Sequence, residues 1–356
     1  MRMRVAGRLV LLDIRCFIVE PSPDSSTTAG GDRWGPERKA TYKRTGTSVV
    51  TPVSNEYDKR TRNKDMSRFD GQLYMQQKNY RLLSRLDRSP PDSQECRMDL
   101  GIQGRCAILM ASSRGLGRAC AESLAREGVH LVINGRTPQD LQETCDKLRA
   151  AYAVNVTAVV GDATTTEVHD ALLQACPEPD IVLLNSEGPT PRAFADIDAE
   201  AWADTLERTM TAPLLFVQRV IEGMQERKFG RIVAISSAMV KSPNPLMSMS
   251  HGPRLGLTGV LKGLSKTAVA HNVTVNTMLP ERFDTGRQEQ MAQIFMQLRG
   301  VTYEEARAQQ IASINAGRLG RPEEFGDTFA FLCSAQASFI SGQSIQLDGG
   351  SYVGVF

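Results

Sequence analysis

The stretch "CAILMASSRGLGRACAESLA" at residues 106–125 decides the fold of this chain. A short apolar run, Cys106 to Ala111, leads into a turn with Gly115 and Gly117, and an amphipathic helical pattern follows. In such a turn, backbone N–H groups and the positive end of the helix can face a pyrophosphate. Glycine suits the turn because a Cβ would block close approach of the backbone to a ligand. The stretch therefore predicts the first half of a dinucleotide-binding unit.

Six further apolar runs follow, and amphipathic stretches separate them. The runs are 129–135, 156–162, 180–185, 230–237, 273–279 and 344–348. Seven buried-type strands that alternate with helices are typical of a parallel sheet covered on both faces. We predict an α/β fold with a Rossmann-type, doubly wound, seven-stranded parallel sheet and helices on both faces, in one domain over residues 98–356.

Residues 1–97 have a different character, rich in Ser, Thr, Arg, Asp, Gly and Pro and poor in apolar periodicity. They hold 19 basic and 12 acidic residues, a net charge of +7, which leaves 23 basic and 28 acidic residues, or −5, for the remainder. We interpret residues 1–97 as a disordered basic N-terminal extension, or as an over-long gene model whose true start is Met98. The mildly acidic body offers no large basic surface, which argues against nucleic-acid binding.

Composition points to the cytoplasm. The seven cysteines are odd in number and form no C-x-x-C pair, a pattern of free thiols in a reducing compartment. The four histidines lie far apart in sequence, so we predict no metal site. No run approaches the roughly 20 apolar residues that span a bilayer. We therefore expect neither a membrane segment nor a secretory signal.

The end of the second strand indicates which dinucleotide binds. An acidic residue there would accept hydrogen bonds from the ribose 2′-OH of NAD and would repel the 2′-phosphate of NADP. This chain has Asn134, Gly135 and Arg136 at that place, and Arg114 lies in the glycine turn. Two guanidinium groups suit a phosphate dianion. The sequence predicts NADP(H) as the cofactor.

Residues 98–356 resemble the short-chain dehydrogenase/reductase family over nearly their whole length. The family commonly has T-G-x-x-x-G-x-G in the first turn, where this chain has Ala111 in place of the first glycine. "LLNSEGP" at 183–189 stands in place of N-N-A-G, and "LPERFDTGR" at 279–287 stands in place of P-G-x-x-x-T. "GQSIQLDGG" at 342–350 is close to the closing signature of the family. The resemblance implies a homodimer or homotetramer formed through the last strand and helices.

The resemblance also implies a set of cofactor-binding residues. These are Ser112, Ser113, Arg114, Gly115, Leu116, Gly117, Arg136, Asp162, Asn185, Gly188, Arg254, Pro280 and Thr285. Asp162 would lie beside the adenine, although a loop aspartate that caps the next helix explains it equally well. Asn185 and Gly188 would lie near the ribose or simply form a turn, and Thr285 would contact the nicotinamide amide or a phosphate.

The catalytic positions depart from the family pattern. The family has a serine at the end of the fifth strand and, about thirteen residues later, Tyr-x-x-x-Lys. Here Ser237 holds the first place, and Ser250 and Arg254 stand where Tyr and Lys are expected. An aliphatic hydroxyl is a much weaker acid than a tyrosine, whose pKa starts near 10. Arg254 stays charged and can hold ribose hydroxyls or stabilise an oxyanion. The resemblance is thus to an atypical subgroup, similar to 3-oxoacyl-acyl-carrier-protein reductases, with Ser-x-x-x-Arg.

We expect an NADPH-dependent oxidoreductase that reduces a ketone or a 3-oxoacyl-type carbonyl by hydride transfer. Ser237, Ser250 and Arg254 would be its catalytic residues, with water or His251 as the source of the proton. Two alternatives stay open: a non-catalytic NADP(H)-binding sensor or partner protein, and a non-redox isomerase or dehydratase on the same fold. Net consumption of the cofactor separates the reductase from both alternatives.

Two local features carry expectations of their own. Proline is tolerated only in the first turn of a helix, so Pro253 predicts a helix that begins near residues 250–252, with Ser248 or Ser250 as its cap. Farther on, apolar residues at helical spacing run from Met291 to Leu298. The resemblance makes that region a substrate lid, and its Met and Phe residues then suggest an apolar substrate.

Overall fold

The computed structural model describes residues 98–355, so our interpretation of residues 1–97 lies outside the part of the chain it covers. The strands form one parallel sheet in the order β3-β2-β1-β4-β5-β6-β7. Their bounds are β1 Cys106–Leu109, β2 His130–Gly135, β3 Val156–Val160, β4 Ile181–Leu184, β5 Gly230–Ile235, β6 Val273–Pro280 and β7 Ser344–Leu347. The predicted seven-stranded doubly wound sheet is confirmed.

The α-helices of this region pack on the two faces of the sheet. They are α1 Gly115–Arg126, α2 Pro138–Ala151, α3 Thr166–Ala175, α4 Ala199–Leu206, α5 Ala212–Glu226, α6 Ser248–Ala268, α7 Gly286–Arg299, α8 Tyr303–Ala312 and α9 Pro322–Cys333. No helix of this region is both long and apolar enough to cross a membrane.

Two apolar cores, one on each face, hold the sheet in place. Alternate residues of β1 enter different cores, because successive strand side chains point to opposite faces. Leu109 packs with residues of α1, α2 and α9, while Ile108 packs with residues of α3, α5 and α6. All four residues of β4 are buried. Burial on both faces explains why the strands read as continuous apolar runs rather than alternating ones.

The order of the strands fixes where a ligand can bind. The chain winds outward from β1 to β3 on one side and from β4 to β7 on the other, so the direction reverses between β1 and β4. In open parallel sheets, ligands bind outside the carboxyl ends of the strands at such a switch point. The glycine turn after β1 and the loop after β4 therefore lie at the expected site.

Helix α6 begins earlier than Pro253 predicts. A 3₁₀ turn, Pro245–Met247, leads directly into the helix at Ser248, and no side chain caps the helix. Pro253 lies at the sixth helical position, where its missing N–H leaves unpaired the i−4 carbonyl of Met249. The expectation that Ser248 or Ser250 caps this helix is wrong, and the hydroxyl of Ser250 is available for another partner.

Candidate active site

A cavity of about 1010 Å³ opens at the carboxyl ends of the strands. Ordinary ligand pockets measure about 300–1,000 Å³, so this one has room for a dinucleotide and a small substrate together. It brings together the predicted site residues Ser113, Arg114, Gly115, Leu116, Gly117, Arg136, Asp162, Asn185, Gly188, Ser237, Ser250, Arg254, Pro280 and Thr285. Ser112 alone among the predicted residues does not line it.

The glycine turn is packed against the serine before it. Gly115 has φ +59°, a left-handed conformation that favours glycine. A Cβ on Gly117 would lie 2.6 Å from Oγ of Ser112, so glycine is needed there for packing within the turn. Ser112 is fully buried, its Oγ donates to the carbonyl of Met110, and its N–H donates to that of Asn134. Both donors of Ser112 are thus used to close the turn, and its contact with the cofactor stays a prediction.

Ala111 carries backbone strain, which two asparagines hold in place. Its φ is +45°, where the family has glycine. The N–H of Ala111 donates to Oδ1 of Asn134 over 3.1 Å, and its carbonyl accepts from Nδ2 of Asn185 over 2.9 Å. Asn134 also donates to the carbonyls of Val159 and Gly161. Asn134 thus connects the glycine turn to the end of β3, and Asn185 connects the turn to the loop after β4. The sequence alone did not indicate this role for Asn134.

Two helices that begin with a glycine in the cavity wall lack side-chain caps. Helices α1 and α7 start at Gly115 and Gly286, both in the cavity wall, and neither receives a side-chain cap hydrogen bond. By contrast, Thr165, Asp198 and Thr302 cap α3, α4 and α8. An uncapped helix start presents free N–H groups and a positive dipole end to an anion. The cavity thus offers backbone donors suited to phosphates.

Arg114 and Arg136 lie at the rim, on the side of β2. Both side chains are more than half exposed; Arg114 lies 4.0 Å from Asp140, and Arg136 forms an ion pair with Glu187. The sequence Asn134-Gly135-Arg136 at the end of β2 contains no acidic residue, and the carboxylates near these two arginines come from Asp140 and Glu187. Glu187 stands two residues after Asn185 in the loop after β4, and sequence reasoning did not assign it a partner.

Asp162 is held by hydrogen bonds and an ion pair. Its Oδ1 accepts from the N–H and Oγ1 of Thr164, and its Oδ2 pairs with Nη1 of Arg208 over 2.7 Å. Burial alone would raise the pKa of Asp162, but the bonds from Arg208 and Thr164 lower it below its usual value. Thr165 caps α3, so the suggestion that Asp162 caps the helix is wrong. Arg208, which also pairs with Asp204 four residues earlier, was missed.

Ser250 and Arg254 face each other across one turn of α6. Nη1 of Arg254 donates to Oγ of Ser250 over 2.8 Å, and the two residues are 6% and 4% exposed, respectively. Nε of Arg254 has no hydrogen-bond partner in the protein. Burial lowers the pKa of Arg254 to about 10, and the charge of Arg287 adds to this effect. Arg254 is still a full cation at neutral pH, placed in a cavity without a carboxylate beside it.

The hydroxyl oxygen of Ser237, like that of Ser250, accepts a hydrogen bond from the protein. Oγ of Ser237 accepts from the N–H of Met239 over 3.2 Å, at the start of a 3₁₀ turn, Ala238–Val240. Each of the two serine oxygens therefore accepts one hydrogen bond from the protein. The neighbouring Ser236 also lines the cavity, and its buried Oγ has no protein partner.

A π-helical segment, Glu207–Thr211, contributes to the cavity wall. Such segments inside α-helices often occur at functional sites. Thr209 in this segment is buried, and its Oγ1 has no protein partner. Four residues of this wall thus have a buried polar atom that a polar ligand could satisfy: Oγ1 of Thr209, Oγ of Ser236, Nε of Arg254 and Oε1 of Gln288.

The described wall of the cavity contains carboxyl groups, among them Glu281, whose pKa burial raises. Of the residues that the structure describes in this wall, none is Tyr, Lys, His or Cys. His251, suggested as a source of the proton, is not among the residues of this wall. Within residues 98–355, no group of three His, Cys, Asp or Glu side chains is placed to hold a metal ion.

The predicted apolar lid is two helices with a largely polar inner wall. Helices α7 and α8 are separated at Gly300, whose φ is +65°. Of the apolar stripe, only Met291 lines the cavity, while Phe295 stacks against Arg299 at 4.9 Å. Arg287 and Gln288 line it from the same helix. Most of this stripe therefore lies outside the cavity wall, and the apolar substrate stays a prediction with little support from it.

The chain matches a known family model over nearly all of the region that the structure describes. Residues 110–352 match the family model described as enoyl-(acyl carrier protein) reductase. The uncharacterized oxidoreductase YvaG of Bacillus subtilis is 31% identical over 264 residues, which is 73% of this chain and 100% of the relative. The 3-oxoacyl-[acyl-carrier-protein] reductase FabG of Aquifex aeolicus is 27% identical over 259 residues, or 72% of this chain and 100% of FabG.

A solved structure shares the same architecture. The L-sorbose reductase from Gluconobacter frateurii, complexed with NADPH and L-sorbose, superposes with a TM-score of 0.69 at 26% identity. The match covers 72% of this chain and 100% of the reductase. The similarity extends over nearly the whole of the described region, and it includes the glycine turn and the end of β7.

Proposed function

This chain belongs to the short-chain dehydrogenase/reductase family, and we propose that it is an NADPH-dependent reductase of a carbonyl compound with an atypical active site. Ser237, Ser250 and Arg254 would do the work that Ser, Tyr and Lys do in the family. One observation carries the proposal: both serine oxygens line the same cavity and already accept a hydrogen bond from the protein.

The residues present fit NADPH. The glycine turn and the uncapped start of α1 offer backbone donors for the pyrophosphate. Arg114 and Arg136 provide charge for the 2′-phosphate, and Thr285 faces the glycine turn, since a Cβ on Gly115 would lie 3.9 Å from its Cβ. The L-sorbose reductase that shares this fold was crystallised with NADPH. When bound, NADPH supplies a hydride to the substrate.

The two serines would act as hydrogen-bond donors to the substrate oxygen. A hydroxyl has one proton to donate, and its oxygen can accept. Because Oγ of Ser237 accepts from Met239 and Oγ of Ser250 accepts from Arg254, each hydroxyl proton is free to point into the cavity. Two such donors would stabilise the negative charge that develops on a carbonyl oxygen during reduction.

Arg254 would strengthen this stabilisation. Its bond to Ser250 polarises the hydroxyl and places a positive charge near the developing oxyanion. Burial makes the charge more effective because little water screens it. Arg254 does not release a proton at neutral pH, so the final proton on the product oxygen would come from water.

The substrate, the oligomeric state and the cellular compartment of the protein stay predictions. A ketone or 3-oxoacyl-type carbonyl stays our expectation for the substrate, as do a homodimer or homotetramer and the cytoplasm as compartment. The five cysteines in the described region are free thiols. The absence of Tyr and Lys from the cavity wall favours, as a second candidate, a protein that binds NADP(H) without turnover.

The test is to mix the full chain with NADPH and a panel of ketones, oxo acids and acyl thioesters. Loss of NADPH absorbance that matches the alcohol formed, mole for mole, would support the reductase. Alteration of a substrate without loss of NADPH would indicate an isomerase or dehydratase. A change in NADPH fluorescence on binding, with no turnover for any substrate, would favour the non-catalytic alternative.

A further inference from the structure

We infer that the substrate is an anion: an oxo acid whose carboxylate lies between Arg254 and Arg287. This inference rests on the proposed function and narrows it to a class of substrate. Its basis is a pair of guanidinium groups in the cavity wall that make no ion pair with a carboxylate of the described residues.

The hydrogen bonds of these two arginines go to neutral oxygens. Arg254 donates to Ser250, while Arg287 donates to the carbonyl of Pro189 over 2.7 Å and to Oε1 of Gln290 over 2.8 Å. Nε of Arg254 has no partner. Burial lowers the pKa of Arg287, and the nearby charge of Glu187 opposes this effect. The ion pair of Glu187 is with Arg136, however, and not with Arg287.

A buried cation, Arg254, and a partly buried one, Arg287, lie near each other and neither forms an ion pair with a carboxylate of the described region, an arrangement that is costly for a folded protein. Buried charges are usually paired, because removal from water is expensive and like charges repel. Here Arg254 is 6% exposed, and Arg287 is close enough to lower its pKa further. An anionic ligand between the two guanidinium groups would supply the missing negative charge. Both arginines would then attract the ligand, which offsets their mutual repulsion.

The two guanidinium groups converge on one place. A Cβ built on Gly188 would lie 3.5 Å from Nη2 of Arg287 and 3.8 Å from Nη2 of Arg254. Both donor nitrogens are therefore within 4 Å of one point beside the loop after β4. Guanidinium groups bind carboxylates through parallel N–H donors, so this geometry suits a small carboxylate better than a neutral group.

The position favours the substrate over the phosphates of the cofactor. Thr285 lies against Gly115 of the glycine turn, but Arg287, two residues later, bonds to the loop after β4. Arg254 is bonded to Ser250, at the end of the cavity where the carbonyl would react. The cofactor phosphates have their own donors in the start of α1 and in Arg114 and Arg136.

The reaction would then convert an oxo acid to a hydroxy acid. The carbonyl carbon receives a hydride from NADPH, the C=O π pair becomes an alkoxide held by Ser237 and Ser250, and water protonates that alkoxide. The products are the hydroxy acid, NADP⁺ and hydroxide. The carboxylate stays on the two arginines throughout and serves only to position the carbonyl.

The experiment uses the full chain with NADPH and matched pairs of compounds: pyruvate and acetoacetate, each against its methyl ester. We expect kcat/KM for at least one acid to exceed that of its ester by roughly 10- to 100-fold, as for a charge-assisted pair of hydrogen bonds. In parallel, calorimetry with NADP⁺ present compares malonate with neutral malonamide. We expect malonate alone to bind.

Variants assign the effect to the arginine pair. Arg287→Met should abolish both the preference for acids and the binding of malonate, and Arg287→Lys should restore part of each. Arg299→Met removes the same charge at the other end of α7, outside the cavity wall, and should change neither. Unfolding temperatures of all variants show that each is folded.

Three results would overturn the inference. The first is reduction of esters as readily as acids. The second is failure of malonate to bind the protein with NADP⁺. The third is a loss of NADPH affinity in Arg287→Met as large as the loss of malonate affinity, which would assign the pair to the cofactor. If no carbonyl is reduced, the proposed function fails, and malonate binding that requires Arg287 still decides in favour of the anion site.

Discussion

Nη1 of Arg254 donates to Oγ of Ser250 over 2.8 Å, and both residues are more than nine-tenths buried. We propose that this pair takes the place of the Tyr and Lys of the family. It combines a hydroxyl directed at the cavity with a cation that lacks a carboxylate partner in the described protein. Because of this arrangement, we expect removal of the Arg254 charge to raise the stability of the ligand-free protein and to lower its activity.

Arg254→Met should stabilise the ligand-free protein. Replacement of an unpaired buried charge by an apolar side chain of similar length should raise the free energy of unfolding by about 1–3 kcal/mol. The same change should reduce or abolish turnover. Urea unfolding without ligand, followed by NADPH oxidation assays, measures both.

Arg231→Met is the matched control for that prediction. Arg231 is fully buried, but its guanidinium donates to the carbonyls of Ser334, Gly230 and Asn272 and stacks on Phe229. Loss of these bonds should lower the free energy of unfolding by about 2–4 kcal/mol. If Arg254→Met destabilises the protein as Arg231→Met does, the account of Arg254 as an unsatisfied cation is wrong.

Arg136→Gln should weaken NADPH much more than NADH. Loss of one guanidinium near the 2′-phosphate should raise the Kd for NADPH by roughly 10- to 100-fold and change that for NADH by less than about 3-fold. Lys147→Gln, which removes an exposed charge from α2 outside the cavity wall, should alter neither. Fluorescence titrations give the constants. Equal losses for both cofactors would remove Arg136 from this role.

Ala111→Gly should stabilise the protein. Ala111 has φ +45°, where an L-residue costs roughly 1–2 kcal/mol and glycine does not. After allowance for the greater chain entropy of unfolded glycine, we expect a net gain of about 0.5–1 kcal/mol. Thermal and urea unfolding measure the change.

Ala308→Gly serves as the control for Ala111→Gly. Ala308 is exposed in the interior of α8, so glycine there should cost about 1 kcal/mol. Loss of stability in both variants would show that Ala111 is not strained.

Glu281→Gln should stabilise the protein at neutral pH and not in acid. Burial raises the pKa of Glu281; Arg282 opposes this effect, and Asp348 adds to it. A carboxyl with a raised pKa in the folded state contributes stability below its unfolded pKa and loses it as pH rises through the folded pKa. The gain from Glu281→Gln should therefore be present at pH 7 and shrink towards pH 4, as measured by urea unfolding.

Glu324→Gln should show the opposite sign. Hydrogen bonds from Arg318 and from the backbone of Arg321 lower the pKa of Glu324 to about 2. Its charge therefore stabilises the folded state above the unfolded pKa, and that stability is lost as pH falls towards 2. Parallel pH curves for the two variants would contradict the assignment for Glu281.

The sequence predicted the sheet well because each strand is buried on both faces. A run such as Ile181–Leu184 has no other stable place in a soluble domain, and the helical patterns between the runs force parallel crossovers. The part of the cavity wall formed by the glycine turn could also be predicted, because the order of the elements along the chain places the glycine turn at the carboxyl ends of the strands. Ser112 could not, since its burial depends on a hydrogen bond to Met110 within the turn.

Other parts of the site depend on contacts that no local pattern records. Arg287 reaches Pro189, 98 residues away in the chain, and Arg208 reaches Asp162, 46 residues away. Pro253 misled the prediction of where α6 begins, because a preceding 3₁₀ turn already starts the helix before the proline. Phe295 was placed in the lid by its spacing, but its ring stacks on Arg299.

The most direct test of the role of Ser250 is the rate of hydride transfer in a single turnover, for Ser250→Ala beside Ser248→Ala. Ser248 lies two residues earlier in α6, outside the cavity wall, and its hydroxyl donates to the carbonyl of Pro245. At saturating NADPH and substrate, we predict a rate lower by roughly 100-fold in Ser250→Ala, because a hydrogen-bond donor to the substrate oxygen is lost. The rate should be unchanged in Ser248→Ala. An undiminished rate in Ser250→Ala would contradict this role of Ser250.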